Sequence, residues 1–218
     1  MANKAVFFDR DGTLNVDVHY LYRPEDFQWT LEAVEAIEYC HQQGYLVVVI
    51  TNQSGVARGY YTEAEVQRLH QWMNEELARQ GAKPIDAFYY CPHHPQGKVA
   101  AYAKECSCRK PQPGMLLQAC QEMNIEPAQS YMVGDSPRDV EAGEKAGIQG
   151  VLYTGGSLLA CVSGLRITMA AIGSVVGCLM RLELCRETHQ HLMTFAARVR
   201  ERAVTMVTQC EQALEWEE

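Results

Sequence analysis

The segment Tyr45–Ile50, YLVVVI, is apolar throughout and rich in β-branched residues. Such a run is typical of a strand that is buried on both faces, as in a parallel sheet with helices on either side. Further strands are predicted at Ala5–Phe8, Ile85–Cys91, Tyr131–Val133 and Gly150–Thr154. Amphipathic segments separate these strands, which implies crossover connections. The sequence therefore predicts an α/β fold, with a Rossmann-like, mostly parallel sheet and helices on both faces.

Capping residues mark the ends of the predicted helices. Helices are expected over Leu31–Gln43, Thr62–Arg79, Met115–Met123 and Ser136–Gly147. Thr62 and Glu65 have the spacing of a capping box. Ser136 and Pro137 suit the N-cap and the first position of the last helix.

Polar side chains follow four of the predicted strands. They are Asp9 with Asp11, the run Thr51-Asn52-Gln53-Ser54, Cys91 with His93, and Asp135. Ligands of open parallel sheets bind beyond the carboxyl ends of the strands, so we expect these side chains to converge there. Asp9 and Asp11 repel each other, and a nearby positive charge is needed to hold both carboxylates in place.

The composition bounds the function classes. The net charge is -8 and the pI about 5.4, which argues against general binding to nucleic acid or to anionic membranes. The first residues, MANKAVFFD, lack the features of a secretory signal, so a cytoplasmic protein is expected. Nine cysteines in such a protein indicate metal ligands or buried thiols before disulfides.

Three cysteines and one histidine fall into a metal-ligand pattern. Cys91 and His93 form a C-x-H pair. Twelve residues then separate His93 from the C-x-C pair of Cys106 and Cys108. Three thiolates and one imidazole fit a closed tetrahedral zinc site, which is structural because no coordination position stays open. The alternative is free thiols beside a proline-rich turn. His93 and His94 compete for the histidine position.

The polar strand ends together resemble the haloacid dehalogenase superfamily of phosphohydrolases. FFDRDGT matches its first motif, Thr51 the second, Lys110 the third and GDSPRD (134–139) the fourth. The resemblance implies that Asp9 is the nucleophile and forms an aspartyl-phosphate, and that Asp11 is the general acid and base. Mg²⁺ is expected on Asp9, Asp135 and the backbone carbonyl of Asp11.

Two further residues complete the expected catalytic group. Lys110 supplies a second positive charge, and the Thr51 hydroxyl donates a hydrogen bond to the phosphoryl oxygens. Asp139 either supports the metal indirectly or caps the helix that follows it; the sequence leaves both roles open.

Within the superfamily, the chain looks like the heptose 1,7-bisphosphate phosphatases. The resemblance rests on DRDGTLN, TNQSGVARG, CPHHPQG…CSCRKPQPGM and YMVGD, and covers Ala5–Thr154. It implies a minimal cap with a zinc-bound loop, His93 as the zinc ligand, and removal of the C7 phosphate in the synthesis of ADP-heptose, a lipopolysaccharide precursor. Histidinol-phosphate phosphatases share the aspartates and zinc ligands, but their zinc loop is shorter. A catalytically inactive, zinc-stabilised binding protein is the alternative from another class.

The same resemblance implies a set of substrate contacts. They are Asp9, Arg10, Asp11, Asp17, Val18, His19, Tyr20, Thr51, Asn52, Gln53, Ser54, Arg109 and Lys110. Because the net charge repels a bisphosphate, its second phosphate needs local positive charge, for which Arg58, Lys98, Lys104, Arg109 and Lys110 are the candidates. One position departs from the family pattern, since Ser136 stands where a lysine is common.

The predicted domain comprises residues 1–156 and includes the zinc loop 91–108. Residues 157–218 form an atypical tail, predicted to be helical, that matches no part of the family. Its uncharged run Ile167–Met180 is short for a membrane span. The expected partner is a small phosphosugar, with no nucleic acid or membrane. The chain is expected to be a monomer, with a dimer formed through the tail as the alternative.

Overall fold

The computed structural model describes residues 2–165. Its sheet has five strands: β1 Ala5–Phe8, β2 Leu46–Asn52, β3 Ala87–Cys91, β4 Tyr131–Gly134 and β5 Gln149–Leu152. All neighbouring strands are parallel, in the order β3-β2-β1-β4-β5. The predicted α/β architecture is confirmed.

The helices of the described residues connect these strands. They are α1 Ala33–Gln42, α2 Ser54–Arg58, α3 Glu63–Arg79, α4 Gly114–Glu122, α5 Pro137–Lys145 and α6 Leu158–Ser163. The capping box of Thr62 and Glu65 is formed at α3, and Ser136 with Asp139 forms a second one at α5. The short helix α2 was not predicted, and α6 lies at the start of the tail that was predicted to be helical.

Helices cover both faces of the sheet, and alternate side chains of each strand face opposite cores. The core beneath α1, α3 and α6 contains Val6, Phe8, Val47 and Val49. The core beneath α4 and α5 contains Ala5, Phe7, Val48 and Ile50. β1 and β2 are buried on both sides. Each of their fully buried aliphatic or aromatic side chains stabilises the fold by about 1.5–3 kcal/mol.

The strand order brings the predicted functional segments together. The chain runs outward from β1 through β2 to β3 and then returns to β4 on the other side of β1. A ligand crevice forms at such a switch point, outside the carboxyl ends of the strands. Asp9 follows β1, Asp135 follows β4 and Thr51 lies near the end of β2, so these residues come from neighbouring strands.

The first compact unit spans Met1–Ile167 and therefore includes α6. Leu158 and Val162 of α6 are fully buried in the core beneath α1. A division after residue 156 stays a prediction, but a cut there would remove these two core side chains. The helical character predicted for the tail falls largely outside the described residues. Among residues 2–165, no helix has both the length and the apolar character needed to cross a bilayer.

Candidate active site

Asp9 and Lys110 form a buried ion pair at the carboxyl end of the sheet. Asp9 is 4% exposed, and its Oδ1 lies 2.8 Å from Lys110 Nζ. The same ammonium lies 2.7 Å from Asp139 Oδ1 and donates to the carbonyl of Ile50 at 2.7 Å. Burial raises the pKa of Asp9 to about 6, although the charge of Lys110 lowers it. The ammonium group alone therefore does not compensate the carboxylates around it.

Asp9 and two further carboxylates lie close enough together to share a cation. One oxygen each of Asp9, Asp135 and Asp139 lies within 4.8 Å of the others. Partial burial raises the pKa of Asp135, and the Asp139 carboxylate adds to this effect. A divalent cation among hard oxygen ligands, with room for water, would neutralise this excess charge. The carboxylates therefore fit Mg²⁺.

Gly12 allows Asp135 to approach the first motif. Its φ of +85° lies in the region that favours glycine, and a Cβ there would be 2.3 Å from Asp135 Oδ2. The glycine of the DRDGT segment is thus required by both backbone and space.

Asp139 caps α5 and also contacts Lys110, while its predicted support of the metal stays a prediction. Its Oδ2 accepts a hydrogen bond from the backbone N–H of Ser136 at 3.0 Å, which caps α5, while its Oδ1 contacts Lys110. Gly134 leaves room for it, because a Cβ at that position would lie 2.4 Å from the Asp139 Cβ. The carboxylate of Asp11 lies outside this group of three, which leaves the predicted metal contact to its backbone carbonyl.

The carboxylate of Asp11 is held by three donors. Arg10 Nη2 donates to both oxygens at 3.0 Å, Asn15 Nδ2 donates to Oδ1 at 3.2 Å, and Gln53 Nε2 donates to Oδ2 at 2.9 Å. The Asp11 side chain is still 25% exposed. It is therefore oriented by the protein and remains open to the crevice.

The side chain of Arg10 is buried behind the Asp11 carboxylate, and its predicted substrate contact stays a prediction. It is fully buried, donates to the carbonyl of Leu21 at 3.0 Å and lies 3.4 Å from His70 Nε2. Burial lowers the pKa of His70 well below its usual value, so this histidine is a neutral acceptor for the guanidinium. Arg10 can reach a substrate only through its backbone, whose N–H donates to Asp9 Oδ1 at 2.7 Å.

The polar run at the end of β2 also faces inward more than predicted. Thr51 is 1% exposed and its Oγ1 accepts from Gln53 Nε2 at 2.8 Å, which leaves its hydroxyl hydrogen available. The Asn52 amide accepts from the backbone N–H of Lys110 at 3.0 Å and donates to its carbonyl at 3.1 Å. Ser54 begins α2 and is half-buried. The amides of Asn52 and Gln53 are thus bound to residues that are predicted to be catalytic.

The predicted substrate contacts at residues 17–20 lie on the surface. Asp17, Val18, His19 and Tyr20 are exposed. Asp17 Oδ1 accepts from the backbone N–H of His19 at 2.8 Å, and His19 and Tyr20 have positive φ values of 58° and 55°. The Tyr20 ring packs edge-on against Tyr60, with centroids 4.7 Å apart. Residues 17–20 therefore border the chain segment that follows α2.

A group of basic side chains lies where α2 meets the zinc loop. Arg58 Nη2 is 3.3 Å from His94 Nε2, while Arg109 Nη1 donates to the carbonyl of His93 at 3.3 Å. The backbone N–H of Gln96 donates to His94 Nδ1 at 3.1 Å, and the Arg58 guanidinium can only donate, so a neutral His94 ring satisfies one of these two donors. Burial and the charges of Arg109 and Arg58 lower the pKa of His94. We name Arg58, His94 and Arg109 the basic corner.

His94 was considered in the sequence only as a rival zinc ligand. The His93-His94 pair itself was the signal for a second role of His94, because the side chain that follows a metal ligand in the chain points away from the metal.

The cysteine-histidine pattern folds into one compact cluster. Cys108 Sγ lies 3.1 Å from Cys91 Sγ, 3.2 Å from Cys106 Sγ and 3.4 Å from His93 Nδ1, and Cys91 Sγ lies 3.4 Å from Cys106 Sγ. Hydrogen bonds from Cys91, Cys106 and His93 lower the pKa of Cys108 to about 5. Ligand atoms around a tetrahedral zinc ion are about 3.5–3.8 Å apart, by the usual bond lengths. The atoms of the cluster lie slightly closer together than this, so a small outward shift of the side chains admits the ion, with His93 and not His94 in the ligand position.

Comparison with known proteins decides the family. A family model described as HAD-hydrolase-like matches residues 107–161. A D-glycero-beta-D-manno-heptose-1,7-bisphosphate 7-phosphatase from Haemophilus ducreyi is 48% identical over 149 residues, covering 68% of this chain and 81% of that protein. The chain belongs to the heptose-1,7-bisphosphate 7-phosphatase family. The resemblance predicted from the motifs is confirmed.

Other heptose bisphosphate phosphatases extend this result. A D-glycero-alpha-D-manno-heptose-1,7-bisphosphate 7-phosphatase from Photorhabdus laumondii is 43% identical over 145 residues, covering 66% of this chain and 79% of that protein. The solved D,D-heptose 1,7-bisphosphate phosphatase from B. bronchiseptica, complexed with magnesium and phosphate, is 31% identical with a TM-score of 0.62, over 77% of this chain and 90% of that one. The family names thus include both anomers, and one member binds magnesium.

Proposed function

We propose that the protein removes the C7 phosphate of D-glycero-D-manno-heptose 1,7-bisphosphate and leaves the 1-phosphate, a step in the synthesis of ADP-heptose. The observation that carries the proposal is the Asp9–Lys110 ion pair beside Asp135, in a chain 48% identical to a phosphatase of that name. A buried carboxylate next to an ammonium is suited to attack a phosphate ester, because the ammonium offsets the repulsion between the two anions. The same pair argues against an inactive binding protein.

The reaction is a double displacement at phosphorus. An oxygen of Asp9 forms a bond to phosphorus while the bond to the C7 oxygen breaks, and the departing alkoxide takes a proton from Asp11. Asp11, now a carboxylate, then accepts a proton from water as the water oxygen attacks the aspartyl-phosphate. Inorganic phosphate leaves and Asp9 is regenerated. Lys110 and the Thr51 hydroxyl stabilise the phosphoryl oxygens in both steps.

Two metals fit the residues of the chain. Asp9 and Asp135, with the nearby Asp139, are placed to hold Mg²⁺, and the backbone carbonyl of Asp11 remains the further ligand that we propose. Magnesium supplies positive charge that screens the phosphate from the carboxylates. Zn²⁺ on Cys91, His93, Cys106 and Cys108 has a structural role, because four protein ligands leave no open position.

The basic corner supports a substrate with a second phosphate. The Arg58 guanidinium contacts the His94 ring and the Arg109 guanidinium contacts the His93 carbonyl, and among residues 2–165 neither forms an ion pair with a carboxylate. Burial lowers the pKa of Arg109, and the neighbouring Arg138 and Arg58 act in the same direction. An anion that accepts from these donors relieves their repulsion. The far end of histidinol phosphate carries an amine and an imidazole and offers no such acceptor.

The expected specificity can be measured on one preparation. The kcat/KM for heptose 1,7-bisphosphate should exceed that for histidinol phosphate by about 100-fold or more, equal to about 3 kcal/mol of differential transition-state binding. Arg109→Ala should reduce this ratio more than it slows hydrolysis of a small monophosphate. Lys83→Ala is the control, because it removes an exposed charge ahead of β3 and outside the basic corner. A preference for histidinol phosphate would contradict the proposed substrate.

The partner, the cellular compartment and the oligomeric state are proposed in less detail than the reaction. The partner we propose is a phosphosugar, and the protein acts in the cytoplasm as a monomer. Size-exclusion chromatography with light scattering measures the oligomeric state directly, and a dimer would support the alternative of association through the tail.

A further inference from the structure

Gln53 is enclosed between two catalytic side chains. Only 1% of its surface is exposed. Its Nε2 donates to Asp11 Oδ2 at 2.9 Å and to Thr51 Oγ1 at 2.8 Å, while its Oε1 accepts from the Tyr61 hydroxyl at 2.7 Å. Every polar atom of the amide is therefore bound to the protein, and none is left to contact a sugar.

The Tyr61 hydroxyl selects the direction of this amide. A reversed amide would place Oε1 against the carboxylate of Asp11, so that two acceptors would face each other. Burial raises the pKa of Tyr61 to about 12, which keeps the hydroxyl a donor. The Tyr61 ring fits closely below α2, since a Cβ on Gly55 would lie 2.2 Å from its Cε1 atom. The orientation of Gln53 is thus held by a buried donor on a tightly packed ring.

We propose that Gln53 is a positioning residue that acts through Asp11 and not a contact to the substrate. Arg10 binds both oxygens of Asp11 from one side, and Gln53 binds Oδ2 from the other. Oδ1 is held by Arg10 and Asn15, whereas Oδ2 is held by Arg10 and Gln53. Loss of the Gln53 donor therefore leaves Oδ2 with a single contact and lets it shift. The proton then no longer meets the oxygen of the departing alcohol. This inference rests on the proposed role of Asp11 as the proton donor.

The choice of leaving group separates this role from a structural one. An alkyl phosphate such as the heptose C7 ester needs a proton for its leaving oxygen, whereas p-nitrophenolate departs without one. The constant kcat/KM reports the steps up to the departure of the alcohol and excludes later hydrolysis of the aspartyl-phosphate. Gln53→Met preserves length and removes both polar atoms. We expect kcat/KM for the heptose bisphosphate to fall about 30-fold, as a part of general-acid catalysis, and that for p-nitrophenyl phosphate about 3-fold or less.

The smaller loss reflects the second hydrogen bond of Gln53. Its contact with Thr51 concerns the phosphoryl oxygens, which both substrates share, so that part of the effect is equal for the two. Gln67→Met is the matched control, because it removes a similar amide on α3 that donates to the Tyr90 hydroxyl. It should leave the ratio of the two kcat/KM values unchanged.

A double-mutant cycle completes the test. In an Asp11→Asn background, Gln53→Met should lower kcat/KM for the heptose bisphosphate by less than about 3-fold, because residues that act as one unit are not additive. An equal loss on both substrates, or a full loss in the Asp11→Asn background, would overturn the positioning role. If Asp11→Asn alone fails to discriminate between the leaving groups, the proton-donor assignment falls, and the inference falls with it.

Discussion

Asp9→Asn should lower the rate of phosphate release from the heptose bisphosphate by about 10⁴-fold or more, equal to about 5.5 kcal/mol of barrier. An asparagine amide has nearly the shape of the carboxylate but cannot form the covalent bond to phosphorus. The amide oxygen can still accept from the backbone N–H of Arg10, which donates to Asp9 Oδ1 at 2.7 Å. Lys110 keeps Asp139 as its ionic partner. The variant should therefore fold and lose only its chemistry.

The stability of the same variant checks the electrostatics of the site. The folded protein raises the pKa of Asp9 from 3.8 to about 6, so without divalent cations the charged carboxylate is a cost above about pH 6. Asparagine lacks this charge, and Asp9→Asn should unfold at an equal or higher temperature there. Below about pH 4 both side chains are neutral and the difference should vanish. Asp26→Asn, at an exposed position, is the matched control. Substantial activity in Asp9→Asn would refute the nucleophile.

Cys108→Ser should remove zinc and destabilise the protein together. Metal binding contributes directly to folding free energy when the four ligands meet only in the folded chain. We expect the zinc content to fall from about one ion per chain to below about 0.3, from the four-ligand count. The free energy of unfolding should decrease by about 3 kcal/mol or more, which lowers the melting temperature by about 6–12 °C. Elemental analysis and thermal unfolding measure the two effects.

Cys120→Ser provides the comparison for this substitution. Cys120 is half-buried against the core beneath α4 and α5 but lies outside the cysteine-histidine cluster. It should retain zinc and change the melting temperature by only a few degrees. Unchanged zinc content in Cys108→Ser would show that the ligand set is wrong. Because Cys108 precedes Lys110 by two residues, the loss of zinc should also reduce kcat.

The sequence predicted which residues meet in the site, but it predicted less well which way they face. Asp9, Lys110 and Asp135 could be brought together because each follows or joins a recognisable element, and parallel strands end at one edge. The zinc ligands could be found because their spacing is specific to metal binding. Both predictions depend on chain connectivity, which motifs and periodicity report directly.

Side-chain direction depends on neighbours that are distant in sequence. Arg10 turns inward because Leu21 and His70 supply acceptors for its guanidinium. Asn52 turns to Lys110, which is 58 residues away. The five residues of α2 are too few to show a helical period, and α6 lay in a segment without clear periodicity. None of these contacts could be inferred from local patterns.

The two hydrogen bonds between the Asn52 side chain and the Lys110 backbone bear on how this protein can evolve. Lys110 is reached along the chain through a long segment, but its peptide is fastened to the end of β2, beside the nucleophile. The residues on either side of the segment between His93 and Cys106 are anchored, and their anchoring does not depend on the length of that segment. Insertions and exchanges there can reshape substrate recognition without displacing the catalytic ammonium. A family built this way can acquire new substrates by loop replacement while its phosphoryl-transfer chemistry stays constant.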